Sequence, residues 1–171
     1  MTAVPEAGKY VLDPAQSSVA ISHKGMWGLV TVKGVFTAVS GDGEVLPDGT
    51  AIGVIRVDAS SVDTKQAKRD THLRSKDFFD VERFPLIEYE VLSASRDAGG
   101  DASVQGRLTV RGVTESQPIT AKVTAVEADA VTLTAQFTVD RTVFGITWNQ
   151  MGAMRGHATV TATLRLTRAG G

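Results

Sequence analysis

The 171-residue sequence contains no cysteine, and several other common indicators of function are also missing. Without cysteine, a disulfide scaffold, a thiol nucleophile and a cysteine metal site are all excluded. The 18 basic and 19 acidic residues leave a net charge of −1, which does not favour polyanions such as nucleic acid. No apolar run approaches the roughly 20 residues of a membrane-spanning helix. These absences leave a globular chain that is long enough to enclose a sizeable core.

The start of the chain gives no sign of a leader. Residues 1–13 contain no basic region followed by an apolar run, so we expect no signal peptide and a cytoplasmic location. Residues 1–8 are mostly small or polar and are expected to form a loose N-terminal segment. Residues 9–168 then fit a single domain.

Patterns that indicate catalysis or metal binding are equally scarce. The three histidines, His23, His72 and His157, would be enough for a catalytic zinc site, but none of them has HxH or HxxxH spacing. The G-x-S-x-G turn of many serine hydrolases does not occur. We therefore expect no metal, no cofactor and no catalytic residue.

Much of the chain alternates apolar and polar residues. In residues 103–112, 131–140 and 158–167 every second residue is apolar or small, and those between are mostly Thr, Ser, Arg and Gln. This period of two is typical of antiparallel strands with one dry face and one wet face. A long strand is also predicted over Leu29–Val39, and Gly41-Asp42-Gly43 is predicted to be a turn. About eight such strands indicate an all-β fold.

Strands of this number and length form either a closed barrel or a two-sheet sandwich. We favour the barrel, because strands of about ten residues would leave long unpaired edges in an open sheet. A barrel of about eight strands is either filled by side chains or encloses one small ligand. Small residues on the dry face favour a cavity over the alternative, close packing of two sheets. They are Gly34, Gly106, Gly112, Ala121, Ala125, Ala135, Ala158 and Ala162.

Residues 60–90 break the alternation with a run of charges. Asp63 or Thr64 is a suitable N-cap, and the residues that follow favour a helix. Asp70 and Arg74 are spaced for an ion pair on that helix. An aromatic cluster comes next, so we predict a helical insert near residues 64–80 that caps one end of the barrel.

Six segments of the sequence carry a family resemblance. The most specific is RDTHLRSKDFF at residues 69–79. The others are YVLD at 10–13, VKGVF at 32–36, PLIEY at 85–89, GRLTVRGVT at 106–114 and DRTVFGI at 140–146. Together these segments resemble the YceI-like family of lipocalin-like, polyisoprenoid-binding proteins. The resemblance covers nearly the whole chain. It implies an extended antiparallel barrel of about eight strands with a short helical cap, holding an isoprenoid or another long apolar molecule.

The candidate site residues form two groups. Arg69 and His72 lie three residues apart, so they share a helix face that would either meet a polar head group or anchor the cap to the barrel rim. The predicted cavity lining consists of residues that face the dry side of the barrel. They are Trp27, Phe36, Phe79, Tyr89, Leu108, Ala135, Phe137, Phe144 and Trp148.

The sequence therefore predicts a binding, carrier or storage protein for an isoprenoid-like or other long-chain lipid. Its partner would be that apolar molecule, with no nucleic acid and no integral membrane segment. One alternative is an enzyme that acts on an apolar substrate in the same cavity, with His72 or His23 as the acid–base group. Another is an interaction module with a filled barrel, and a homodimer is left open.

Overall fold

The computed structural model describes residues 5–25, 30–146 and 155–169, which contain twelve β-strands and one α-helix. The helix, α1 (Ala67–Arg74), lies between the sixth and seventh strands. The strands are β1 (Gly8–Leu12), β2 (Ser18–Gly25), β3 (Val30–Phe36), β4 (Val39–Val45), β5 (Ala51–Asp58), β6 (Val62–Asp63), β7 (Leu86–Arg96), β8 (Ala102–Val110), β9 (Val113–Ser116), β10 (Ile119–Val126), β11 (Ala130–Val139) and β12 (Arg155–Arg168).

The strands close into an antiparallel barrel with eight positions around the ring. β1 pairs with β4 on one side and with β12 on the other, and β5, β7, β8, β10 and β11 complete the circle. β2 pairs with the same edge of β12 as β1 does, but with an earlier part of that strand. β3 pairs with β2 and β6 pairs with β3, so these two strands extend the sheet beyond β2. The predicted fold class, an all-β antiparallel barrel with one short helix, is confirmed for the described residues.

Alternation along the strands decides which side chains face the interior. In β8 the side chains of Val104, Leu108 and Val110 are buried, whereas Gln105 and Arg107 between them are exposed. The same period of two holds along β11 and β12, where every second residue from Leu133 to Val139 and from Ala158 to Leu166 lines the interior. The two strands pair over ten consecutive positions. The apolar core therefore lies inside the barrel, and the polar face is the outer one.

Two local predictions about the first half of the chain are wrong. The strand predicted over Leu29–Val39 ends at Phe36, and Gly41-Asp42-Gly43 lies within β4 instead of in a turn. The reason is the close approach of β4 and β5. A Cβ atom on Gly53 would lie 2.9 Å from the Cα of Gly43, so glycine is needed for that contact.

Gly112 lies in a turn, although it was predicted to continue the dry face of its strand. Arg111 and Gly112 have φ angles of 53° and 73°, and Val110 pairs directly with Val113. This is the geometry of a two-residue hairpin in which both central residues are left-handed. The space beside Gly112 is occupied, because a Cβ atom there would lie 2.8 Å from Cε1 of Phe84.

The start of α1 also differs from the prediction. Gln66 is the N-cap, and its side chain makes no capping hydrogen bond. Asp63 instead accepts a hydrogen bond from the amide of Lys65 at 2.9 Å, and Thr64 binds to Asp70.

Of the helices in the described ranges, none is long and apolar enough to span a membrane.

Candidate ligand cavity

The interior of the barrel contains a cavity of about 350 Å³. This volume lies at the lower end of the roughly 300–1,000 Å³ that is typical of small-molecule sites. Most of the lining is apolar and comes from the strands. Residues 64–85, which we call the cap segment, add Leu73, Phe78 and Phe79. The lining therefore matches an apolar molecule.

One wall of the cavity is a row of four alanines, which we call the alanine row. Ala102 of β8 pairs with Ala121 of β10, Ala121 pairs with Ala135 of β11, and Ala135 pairs with Ala162 of β12. Because neighbouring strands are about 4.8 Å apart, the row extends roughly 14 Å around the barrel. All four residues line the cavity. Their single methyl groups leave space that larger side chains would fill.

Gly34 and Gly106, two glycines assigned to the dry face, do not add to this space, which corrects the expectation from the sequence. A Cβ atom on Gly34 would lie 2.8 Å from Cγ2 of Thr64, and one on Gly106 would lie 2.3 Å from the hydroxyl of Tyr89. In both cases another side chain already fills the volume above the glycine. The alanines and not these glycines therefore create the room.

Seven of the nine predicted lining residues lie in the cavity wall. The rings of Phe36 and Phe79 meet edge to face, with centroids 5.7 Å apart, so the cap segment contacts the barrel wall. Trp27 and Trp148 lie outside the described residues. The role of the seven in holding a ligand stays a prediction. They are Phe36, Phe79, Tyr89, Leu108, Ala135, Phe137 and Phe144.

Tyr89 places a hydroxyl in this apolar wall. The hydroxyl donates a hydrogen bond to the carbonyl of Gln117 at 2.6 Å. Burial raises the pKa of Tyr89 to about 12, because it disfavours the charged phenolate. Tyr89 therefore stays protonated near neutral pH and is oriented by Gln117.

Arg69 and Asp70 connect α1 to the residue that follows β6. Arg69 donates to the side-chain oxygen and to the carbonyl of Thr64, both at 2.8 Å. Asp70 is 7% exposed and accepts hydrogen bonds from the amide of Thr64 at 2.9 Å and from its hydroxyl at 2.5 Å. Burial alone would raise the pKa of Asp70, but the Thr64 hydrogen bonds and the charges of Arg74 and Arg69 lower it below its usual value.

Arg74 and His72 complete the contacts of the helix. Arg74 donates to the carbonyls of Ser60 and Val62, at 2.8 and 3.1 Å. The Nε2 atom of His72 lies 2.9 Å from a carboxylate oxygen of Asp77. Arg69 and His72 are both absent from the described residues that line the cavity. Their head-group role stays a prediction.

Arg141 is a lining residue that sequence reasoning missed. It follows Val139 by two positions, so the alternation of β11, continued one step past the strand, would have pointed it inward. Its Nη1 atom donates to the carbonyl of Ile146 at 2.8 Å. Burial lowers the pKa of Arg141, an effect that the charge of Asp140 partly offsets.

His23, considered from the sequence only as an acid–base group, also lines the cavity. Within the described ranges, no three His, Asp or Glu side chains are grouped closely enough to hold a metal ion. The expectation of a protein without metal stays a prediction.

Two bacterial relatives show how much of the chain is shared. A UPF0312 protein of Vibrio vulnificus is 34% identical over 126 residues, which are 70% of this chain and 66% of that protein. A UPF0312 protein of Shewanella denitrificans is 34% identical over 124 residues, 68% of this chain and 61% of the relative. The chain therefore spans just under two thirds of the length of these curated relatives.

Solved structures share the barrel at low sequence identity. BcnA of Burkholderia cenocepacia superposes with a TM-score of 0.80 at 21% identity, covering 90% of this chain and 98% of that one. A polyisoprenoid binding domain from Saccharophagus degradans gives 0.73 at 15% identity, with coverages of 93% and 98%. At these identities the likeness shows the fold alone. The YceI-like domain model matches residues 10–167, from within β1 to within β12, and this chain therefore belongs to the YceI-like family.

Proposed function

We propose that this protein binds one long apolar molecule, an isoprenoid-like lipid, inside the barrel and carries or stores it unchanged. The observation that carries the proposal is the cavity of about 350 Å³ with its mostly apolar lining. The ligand class is supported by the Saccharophagus domain of the same fold, which is described as polyisoprenoid binding. The modest volume favours a single chain over a lipid with several chains.

Burial of the chain supplies much of the binding free energy. Burying ten methylene groups contributes roughly 8 kcal/mol. Association costs at least about 4 kcal/mol in lost translational and rotational freedom. Chain burial alone therefore gives weak binding, and the polar end of the ligand or a longer chain has to supply the rest.

A carrier fits the side chains of the cavity better than an enzyme does. His72 is hydrogen bonded to Asp77 and is not among the described lining residues. The hydroxyl of Tyr89 is engaged by Gln117, and its raised pKa keeps it protonated at neutral pH, so that no phenolate is available as a base. His23 is the remaining candidate of the enzyme alternative, so turnover has to be measured.

Native mass spectrometry of freshly purified protein, before and after extraction with organic solvent, tests the proposal. We expect a bound lipid that extraction removes and that the delipidated protein takes up again with unchanged mass. A protein that yields no lipid and takes up none would have a filled barrel, which contradicts the proposal. A recovered lipid of altered mass would favour the enzyme.

Two further expectations belong to this proposal. A cytoplasmic location is checked by cell fractionation. A homodimer is checked by sedimentation at several protein concentrations, which would show a concentration-dependent change in mass.

A further inference from the structure

The charged residues of this chain are divided unevenly along the barrel. The cap segment holds six basic and four acidic residues, although the whole chain has a net charge of −1. Three loops, 46–50, 97–101 and 127–129, contain acidic residues and no basic residue, and we call them the acidic loops. Their carboxylates are those of Asp48, Asp97, Asp101, Glu127 and Asp129. The balance of charge is therefore positive in the cap segment and negative in the acidic loops.

Strand direction places the acidic loops at the opposite end of the barrel from the cap segment. β5 begins after the first of these loops and ends beside the cap segment, where the amide of Ala59 donates to the carbonyl of Pro85 at 2.9 Å. β7 then runs from the cap segment to the second loop. β10 is antiparallel to β8 and continues past the paired residues Ala121 and Ala102 to the third loop. The barrel therefore has a basic end and an acidic end.

The carboxylates of the cap segment do little to neutralise its outer side. Asp70 and Asp80 are each 7% exposed, so both are largely withdrawn from the surface. Asp77 lies 2.9 Å from His72. Glu82 is the fourth carboxylate, and it is exposed. One fully exposed carboxylate is therefore left to oppose the basic side chains on the outer side.

Four basic side chains of the cap segment are exposed, and we call them the basic surface. They are Lys65, Lys68, Lys76 and Arg83. Lys65 lies 3.8 Å from Asp63, and Arg83 lies 3.6 Å from Asp80. The ion pairs of the described residues include neither Lys68 nor Lys76. These two lysines therefore have their charge available for an anionic partner.

The helix presents its basic and apolar sides in opposite directions. Lys68 and Thr71, three residues apart, share the exposed face of α1. Asp70 is buried and Leu73 lines the cavity, and these two residues share the other face. The cap segment thus closes the cavity with its inner side and turns the basic surface away from the barrel.

We propose that the basic surface docks on an anionic phospholipid membrane. Lysine and arginine bind phosphate groups through charge-assisted hydrogen bonds, and each basic residue near such a membrane increases binding about 5-fold. The same membrane repels the acidic loops, so the barrel is oriented with the cap segment towards the bilayer. Docking itself requires no ligand in the barrel. Its consequence, that a lipid passes between the bilayer and the capped end of the cavity, rests on the proposed function.

Cosedimentation with vesicles measures the docking. One set of vesicles is phosphatidylcholine alone, and the other contains equal amounts of phosphatidylcholine and phosphatidylglycerol. Delipidated protein should bind the anionic vesicles about 25-fold or more tightly, as expected from Lys68 and Lys76 alone. This difference should disappear at about 1 M salt, where the Debye length is about 3 Å. Equal binding to the two sets at low salt overturns the proposal.

Two double variants separate the basic surface from the net charge of the protein. Lys68→Gln with Lys76→Gln should weaken binding to the anionic vesicles about 25-fold. Lys9→Gln with Lys122→Gln removes the same charge from exposed positions on β1 and β10, and it should bind like the parent. Glutamine and lysine have similar helix propensities, so both variants should melt like the parent. Equal loss in the two variants assigns the effect to net charge and overturns the proposal.

A dye at either end of the barrel tests the orientation. Because the chain has no cysteine, Thr71→Cys and Ala128→Cys each provide one attachment point, on the exposed face of α1 and in the third acidic loop. The emission of a polarity-sensitive dye should shift to the blue with anionic vesicles at position 71 and stay unchanged at position 128. Equal shifts at both positions, or a shift at position 128 alone, contradict docking through the cap segment.

Two further outcomes distinguish the partner and the function. If soluble polyglutamate displaces the protein from the vesicles at an equal concentration of negative charge, the basic surface fits an acidic protein, and the membrane proposal is overturned. Vesicle binding by a parent that takes up no prenyl lipid supports docking and refutes the proposed function. Uptake of prenyl lipid by a parent that does not bind anionic vesicles refutes docking alone.

Discussion

The alanine row and the cap segment enclose the same cavity in opposite ways. The row lines the cavity with single methyl groups, and the neighbouring strands position it through backbone pairing. The cap segment inserts Phe78 and Phe79 and is held by side chains such as Asp70 that bind one particular partner. Space comes from short side chains, whereas closure comes from specific polar contacts. Larger side chains should therefore be tolerated in the row, and deletions should be costly in the cap segment.

The largest effect on stability is expected from Asp70→Ala. The substitution removes two hydrogen bonds to a charged group and leaves the buried amide of Thr64 without this acceptor, so the free energy of unfolding should fall by about 3 kcal/mol. Urea unfolding measures the change. Asp77→Ala is the control, because Asp77 is 44% exposed and its pair with His72 should contribute less than about 1 kcal/mol.

The pH dependence of the free energy of unfolding provides a second test of the Asp70 carboxylate. The pKa of Asp70 is lower in the folded state, so its contribution is present above the unfolded pKa of about 3.9 and is lost as pH falls through the folded value. The stability advantage of the parent over Asp70→Asn should therefore shrink on acidification below about pH 4. If the difference in the free energy of unfolding between the parent and Asp70→Asn stays constant as pH falls below about 4, this role of Asp70 is contradicted.

A pair of enlargements compares the two regions directly. Gly34→Ala places a methyl group against Thr64 of the cap segment and should cost about 2 kcal/mol. Ala135→Val adds two carbon atoms in the alanine row and should cost less than about 1 kcal/mol, because the cavity accepts them. Thermal and urea unfolding of both variants give the comparison. If Ala135→Val is as costly as Gly34→Ala, the space beside the row is not available.

A smaller loss is expected from Arg69→Ala. The two hydrogen bonds to Thr64 disappear, and the free energy of unfolding should fall by about 1.5 kcal/mol while the affinity for a prenyl lipid stays that of the parent. Melting temperature and lipid affinity are measured on the same samples. Unchanged stability with altered selectivity among lipids of different head groups would instead make Arg69 a head-group ligand.

More of the structure of the barrel wall than of the cap segment could be predicted from the sequence. The alternation of apolar and polar residues shows on which face of a strand each side chain lies, and for β8, β11 and β12 this is enough to identify the inner residues. The alternation does not show which residue of the neighbouring strand lies opposite a given residue. Ala121 meets Ala135 only through the register of β10 and β11, which shifts between Val123 and Ala125. The alanine row therefore appears only in the structure.

A local sequence pattern does not show contacts between distant residues, and this explains the errors at Gly34 and in the cap segment. Thr64 fills the space over Gly34 from 30 positions along the chain, and no local pattern connects the two residues. Asp63 and Thr64 have the chemistry of N-caps, but their side chains are used by Lys65 and Asp70. Local propensity identified a helix here, whereas tertiary contacts decided where it begins.

The central claim, that the space beside the alanine row holds the lipid, is tested most directly by prenyl-lipid uptake in Ala135→Phe. The matched control is Thr134→Phe on the adjacent residue, which faces outward and pairs with Lys122 and Thr163. We predict that delipidated Ala135→Phe melts close to the ligand-free parent but neither copurifies with nor takes up a prenyl lipid, while Thr134→Phe binds like the parent. Unfolding of Ala135→Phe, or uptake equal to that of the parent, would contradict the account.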